Sequence, residues 1–243
     1  MNGDRDKILG RIAEALTVPA RPPHLGHGHK PAIPSDGAPS SAPLLGANVT
    51  SPFREWLPPV GPTSEERHAL FARQCAALRA DVVKCADFAA AAARIASLAE
   101  AGNWKKLALH SGSLTDALAP LLPQSLELLR TDSGYDKFAL ETCDAGLTEC
   151  ECLVAQTGSV CVTSLSSGGR ALSVFPPHHL VIARRSQLEP DLTAAYELLA
   201  RKYQGKYPSF VSFITGPSRT GDIERILVLG AHGPKWLTIL LVP

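Results

Sequence analysis

Residues 87–130 read DFAAAAARIASLAEAGNWKKLALHSGSLTDALAPLLPQSLELLR, and their rhythm decides the fold class. The alanine-rich run after Asp87 is a helix that ends at Gly102, as the small residue closing such a run commonly does. KKLALH is then a strand, SLTDALAPLL a second helix and SLELLR a second strand. Strands that alternate with helical patterns of this length predict a parallel sheet in an α/β fold.

Working outward, Thr63-Ser64-Glu65-Glu66 is a capping box with Thr63 as N-cap and Glu66 three places on. It starts a helix running to about Arg79, and a short strand follows at Val82-Val83. Past residue 150, Leu153–Ala155 and Val160–Thr163 flank Gln156-Thr157-Gly158-Ser159, the pattern of a hairpin. His179–Ala183 reads as a strand, Pro190–Tyr203 as a helix, and Phe210–Thr215 as a strand. Two apolar runs, Ile226–Leu229 and Trp236–Val242, bracket Gly230–Pro234. The expected architecture is a mixed, largely parallel sheet flanked by helices, with loops gathered at strand ends where ligands of such sheets bind.

Three segments organise the chain: an N-terminal helix within 1–17, an irregular arm over 18–62 and a compact α/β domain over 63–243. Ile8, Leu9, Ile12 and Leu16 form the apolar face of the first. Eleven prolines between Val18 and Pro62 keep the arm out of regular helix or central strand. Phe53, Trp56 and Leu57 are its expected docking points.

With 45% apolar residues and a formal net charge of +1, the chain reads as a soluble globular protein without the basic footprint of a nucleic-acid binder. MNGDRDKILGRIAEAL is charged from the outset and has no signal-peptide core, and no apolar run is long enough to span a bilayer. A cytoplasmic protein with six reduced cysteines is the expectation. Cys150-Glu151-Cys152 places two thiols on one strand face, with Cys143 and Cys161 close in sequence. Their spacing matches neither zinc nor iron–sulfur motifs, so they read as core thiols and no metal is expected.

The candidate chemistry gathers in FITGPSRTGDIERILVLGAHGP, residues 213–234. Gly216 and Pro217 turn the chain after a strand, exposing backbone N–H groups, and a helix starting near Asp222 would add its positive end. Ser218 and Thr220 offer hydroxyls, and Arg219 a planar fork for a carboxylate or phosphate. The competing reading is a plain connection in which Asp222 caps a helix and Arg219 pairs with a nearby acid. His232-Gly233-Pro234 is either an acid–base or anion-donor turn or a satisfied connection. Thr157, Gly158 and Ser159 at the hairpin apex, and Arg170 after Ser166-Ser167-Gly168-Gly169, complete the candidate set. His178 and His179 point to opposite sides of a strand and so make no metal pair.

GLTECECLVAQTGSVCVTS, GGRALSVFPPHHLVIARRSQL, FITGPSRTGDIE and GAHGP occur here in the order found in LUD-domain proteins, and residues 63–243 resemble the lactate-utilization members of that family. The resemblance implies a fold of the sugar-phosphate isomerase and CoA-transferase type. It also implies a role in oxidising L-lactate to pyruvate beside two iron–sulfur proteins. No cluster-binding cysteine motif, flavin fingerprint or nicotinamide fingerprint stands in this chain, so the electron carriers are expected on those partners. The family leads one to expect AETGT where Ala155-Gln156-Thr157-Gly158-Ser159 stands, an amide in place of an acid, and alanine where Gly221 stands. The expected function is therefore an accessory, non-redox component that binds an anionic metabolite or a partner at the GPSRTGDIE and HGP loops. The alternative is a stand-alone enzyme, CoA-transferase-like or ATP-dependent cyclo-ligase-like, acting on a phosphate or acyl ligand.

Overall fold

A computed structural model describes residues 57–243 apart from 133, 135, 221–227 and 231. The expected N-terminal helix, most of the arm with Phe53 and Trp56, and Asp222 lie outside the described residues.

The capping box forms as read: the Thr63 hydroxyl accepts from the Glu66 N–H, and the Glu66 carboxylate accepts from the Thr63 N–H. It opens α1, Ser64–Ala77, which leads into β1, Asp81–Lys84. Asp87 caps α2, Phe88–Gly102. That helix keeps Gly102 inside it, and Asn103 takes the left-handed C-cap at φ 53°, a conformation that asparagine tolerates better than most side chains. Then follow β2 (Lys106–Leu109), α3 (Ser113–Leu118), β3 (Glu127–Arg130), α4 (Lys137–Glu141) and β4 (Ala145–Thr148). The hairpin is β5 (Cys152–Val154) and β6 (Ser159–Thr163), and β7 is His178–Arg184. After β8 (Leu188–Glu189) come α5 (Leu192–Tyr203), β9 (Val211–Ile214), β10 (Arg219–Thr220), β11 (Val228–Leu229) and β12 (Trp236–Val242).

The expected α/β class holds, but the mixed character is divided between sheets. Six strands in the order β1-β12-β7-β4-β2-β3 form a wholly parallel sheet. The hairpin belongs to a separate four-stranded sheet, β8-β5-β6-β9, in which β5–β8 is parallel and the other pairings antiparallel. β10 and β11 form a small antiparallel ladder of their own.

Side-chain alternation along the parallel strands builds two cores. Leu180, Ile182 and Leu240 face α2 and α3, meeting Ile95, Leu114 and Leu118. Val181, Ala183, Ile239 and Leu241 face the other way, onto Phe71 of α1 and Leu153, Val160 and Val162 of the hairpin. Beyond the hairpin, α5 covers Cys152, Val154 and Cys161 with Ala195 and Leu199. The layers are therefore helices, parallel sheet, α1 with the small sheet, and an outer helix. At the end of the arm, Val60 packs on the core, whereas Leu57 is exposed.

All six cysteines are free and buried. Cys150 and Cys152 do not share a strand face. β5 begins only at Cys152, so Cys150 joins the core under α1 while Cys152 turns to α5 beside Cys161. Between them Glu151 is buried and accepts from Lys202 Nζ at 2.5 Å, Tyr203 OH at 2.7 Å and Thr163 Oγ1 at 2.7 Å. Burial pulls its carboxyl up, but these hydrogen bonds and the ammonium charge outweigh it and leave the pKa lowered.

Candidate ligand cavity at the amino ends of the central strands

The two small-residue clusters of residues 213–234 meet. Ser218 N–H donates to the Pro234 carbonyl at 2.9 Å, and the Ser218 carbonyl accepts from Gly230 N–H at 3.0 Å. Gly233, at φ 148°, lies where an added Cβ would come within 3.1 Å of the Ser218 side chain, so the contact needs glycine. Together the turns wall a cavity of about 250 Å³ at the start of β7 and β12.

Gly216, Pro217, Ser218, His232 and Gly233 from the expected set line this cavity. Sequence reasoning missed the other wall. Ser173 and Val174 come from the loop before β7, His179 from β7, Phe210, Ser212 and Ile214 from β9 and the residue before it, and Leu237 from β12. Gly146 of β4 makes that wall possible: a Cβ there would stand 2.5 Å from the Leu172 carbonyl, so its absence lets the 171–176 turn pass over the sheet.

His178 and His179 are both buried, and each finds a threonine on a neighbouring strand. His178 Nε2 meets Thr238 Oγ1 at 2.9 Å, with its ring edge-on to Trp104. His179 Nε2 meets Thr148 Oγ1 at 2.9 Å. Burial pushes His178 down to about 4 and His179 down to about 3, so both rings are neutral at ordinary pH. They differ in what is left over, for His179 Nδ1 is buried without a partner while His178 shows no such atom. Ser173 Oγ is also buried and unpartnered. A buried polar atom without a partner calls for an explanation, and two of them here belong to residues of one cavity. The sequence signal was present in FPPHHLVIA, two polar rings heading an apolar strand, though nothing in it says which ring is satisfied.

The remaining expected residues act beside the cavity. Arg219 donates from Nη2 to the Leu78 carbonyl at the end of α1, where a cation suits the exposed carbonyls of a helix C-terminus. Thr157 and Ser159 form a hydroxyl chain, 2.7 Å to each other and 2.8 Å on to Thr215, which lines the cavity. Gly158, at φ 67°, presses the hairpin turn against Gln74 and Cys75 of α1. Arg170 donates to the Ser209 carbonyl at 3.0 Å, tying the 164–176 loop to the chain entering β9. Thr220 stands in β10, paired with Val228. Gln156, where an acid was expected, donates from Nε2 to the Pro58 carbonyl at 3.0 Å, a bond that a carboxylate cannot make.

At the carboxyl edge of the parallel sheet, where open α/β sheets usually take ligands, the polar side chains bond to the protein itself. β2 leads outward to β3 and β4 inward to β7, so the switch lies between β2 and β4. There His110 Nδ1 donates to the Ser111 carbonyl and Nε2 accepts from Glu149 N–H, so one tautomer satisfies both bonds. The Glu149 carboxylate in turn accepts from the Leu114 and Thr115 N–H groups. Among the described residues no group of three or more His, Cys, Asp or Glu is placed to hold a metal ion, and no helix is long and apolar enough to cross a membrane.

Comparison with known proteins places this arrangement. The sequence profile of the LUD domain matches residues 69–242. A stretch of 142 residues is 29% identical to lactate utilization protein C of Deinococcus radiodurans, covering 58% of this chain and 64% of that one. A stretch of 95 residues is 37% identical to lactate utilization protein C of Shouchella clausii, covering 39% and 42%. The chain thus spans about half the length of the relatives it matches. The crystal structure of a DUF162 family protein from Deinococcus radiodurans superposes with a TM-score of 0.57 at 21% identity, over 75% of this chain and 100% of that one.

Proposed function

Because the chain belongs to the LUD domain family, we propose that it is an accessory component of a cytoplasmic system oxidising L-lactate to pyruvate, and that its loop cavity holds a small metabolite. The names of its relatives support the pathway. The cavity itself carries the binding role: Gly216–Ser218 and the HGP turn wall a space whose lining includes His179 and Ser173, residues that each keep one buried polar atom without a partner. In this reading the electrons pass through iron–sulfur proteins of the same pathway, and this chain supplies binding and docking surfaces.

The enzyme alternative needs a group to form or break a bond. A covalent acyl-carboxylate mechanism needs an acid in the cavity, and the described lining residues include none. Gln156 occupies the place of the expected acid and spends its amide on Pro58.

Cells lacking this chain should lose lactate-dependent reduction of an artificial electron acceptor in extracts. The wild-type chain should restore it, and Gly233→Val, which drives a side chain into Ser218, should restore it poorly. Undiminished lactate oxidation without the chain would remove the pathway role. Lactate turnover by the purified chain alone would replace the accessory role with a catalytic one.

A further inference from the structure

Cys152 and Cys161 stand directly opposite each other on the antiparallel strands β5 and β6. Opposed residues of such a pair lie about 4.5 or 5.5 Å apart between Cα atoms, and both separations fall within the range of about 4.4–6.8 Å that a disulfide spans. Their side chains share a face, for both thiols belong to the cluster that Ala195 and Leu199 of α5 cover. The neighbouring Cys161 thiol, and then burial, push the Cys152 thiol well above its usual range. The other four cysteines keep different company. The thiols of Cys75, Cys85 and Cys143 donate to the Gly158, Val83 and Ala139 carbonyls, and Cys150 packs beneath α1.

The cover over the pair decides when it can react. Both thiols are 0% exposed, and a buried protonated thiol is inert. What lies over them is one helix of 12 residues. Its last turn is held by Lys202 and Tyr203 on Glu151, the residue next to Cys152, and the Lys202 side chain is half in water. Local opening of one outer helix costs less than unfolding the domain. When α5 lifts, both thiols meet solvent together, while β8 and β9 on either side keep β5 and β6 paired.

We propose that Cys152 and Cys161 are a disulfide-forming site, a redox lock across the hairpin that a low-molecular-weight disulfide closes when α5 lifts. One cysteine, deprotonated once water reaches it, attacks the S–S bond of the oxidant, giving a mixed disulfide and releasing one small thiol. The second cysteine then attacks the mixed disulfide, forms the Cys152–Cys161 bond and releases the other small thiol. The pair loses two electrons and two protons, and the oxidant takes up both as two thiols. The Cβ atoms, about 4.5–5.5 Å apart across such a strand pair, draw in by about 1 Å as the bond forms.

The test uses the full reduced chain, incubated with glutathione disulfide under native conditions, quenched in acid, alkylated in denaturant and mapped by mass spectrometry. The chain should lose the mass of two hydrogen atoms, Cys152 and Cys161 should appear in one linked peptide, and dithiothreitol should reverse the change. The other four cysteines should remain alkylatable. Cys161→Ala, which keeps an apolar filler at the site, should abolish the loss. Lys202→Met, which loosens the last turn of α5, should speed oxidation about tenfold, the factor for about 1.4 kcal/mol off the cost of opening. Six thiols still free in the native chain, when the same oxidant links them in denaturant, would overturn the proposal. Disulfides spread over the six cysteines without preference would overturn it too, because they would come from unfolded chains. Oxidation of Lys202→Met no faster than wild type would remove α5 as the gate.

Discussion

Lys202→Met isolates the best-placed charge in the fold. The Glu151 side chain is 1% exposed and that of Lys202 55%, with 2.5 Å between Oε2 and Nζ. An exposed pair is worth about 0–1 kcal/mol, whereas removing one partner of a fully buried pair costs about 3–5 kcal/mol. This pair lies between those limits, because the ammonium is half in water and Thr163 and Tyr203 still donate to the carboxylate after the change. A loss of about 2 kcal/mol at pH 7 follows, and with a urea slope of about 2 kcal/mol per molar it lowers the unfolding midpoint by about 1 M. Arg201→Ala on the adjacent residue breaks a 3.8 Å contact between two exposed groups and should cost under about 0.5 kcal/mol. The pH dependence has a fixed sign. The folded pKa of Glu151 lies below its unfolded value, so its contribution is present above about pH 4.3 and lost as the pH falls through the folded value. The gap between wild type and Lys202→Met should therefore close in acid. A midpoint for Lys202→Met no lower than that for Arg201→Ala at pH 7, or a gap that widens in acid, would refute the reasoning.

Two further outcomes follow from the hairpin and the loop beside the cavity. Gln156→Glu should cost about 1 kcal/mol at neutral pH, since a carboxylate cannot donate to the Pro58 carbonyl, and part of this should return in acid where a protonated carboxyl can; equal stability at pH 7 in urea unfolding would contradict it. Arg219→Ala should lower stability by about 0.5–1 kcal/mol through the end of α1, read as faster amide exchange at residues 76–80, and a larger loss confined to ligand affinity would put Arg219 in the cavity after all.

Local signals explain which parts of the fold were legible. Thr63 and Glu66, the alanine-rich α2 and the apolar run of β12 each carry their conformation within a few residues, so their periodicity and caps sufficed. Sheet membership is not local. LVAQTGSVCVT reads as a hairpin, yet only the pairings of β5 with β8 and of β6 with β9 place it in a second sheet. For the same reason Cys150 and Cys152 could not be separated: the strand boundary between them follows from burying Glu151 against Lys202 and Tyr203, some fifty positions away.

The candidate site shows the same division. Gly216 and Gly233 could be read from turn chemistry, and the turns do meet. Arg219 reads equally well as an anion fork or a helix-end cation, and only the position of Leu78 decides. His179 and Ser173 gain their interest from what they fail to bond, and a sequence records no such vacancy.

β12 lies between β1 and β7 although it follows the eleven other strands of the described residues in chain order, and among those strands β1 pairs with no other. During synthesis the first strand must therefore wait, its edge open, until nearly all of the described chain has left the ribosome. A loop of that length closes slowly, and exposed strand edges in the meantime invite pairing with other chains. The lining of the cavity comes from residues 173–237 and is completed in the same late event, so a nascent chain carries neither a finished sheet nor a binding site until β12 slides into place. Strand edges left open late in folding, rather than low equilibrium stability, are the weakness this topology builds in.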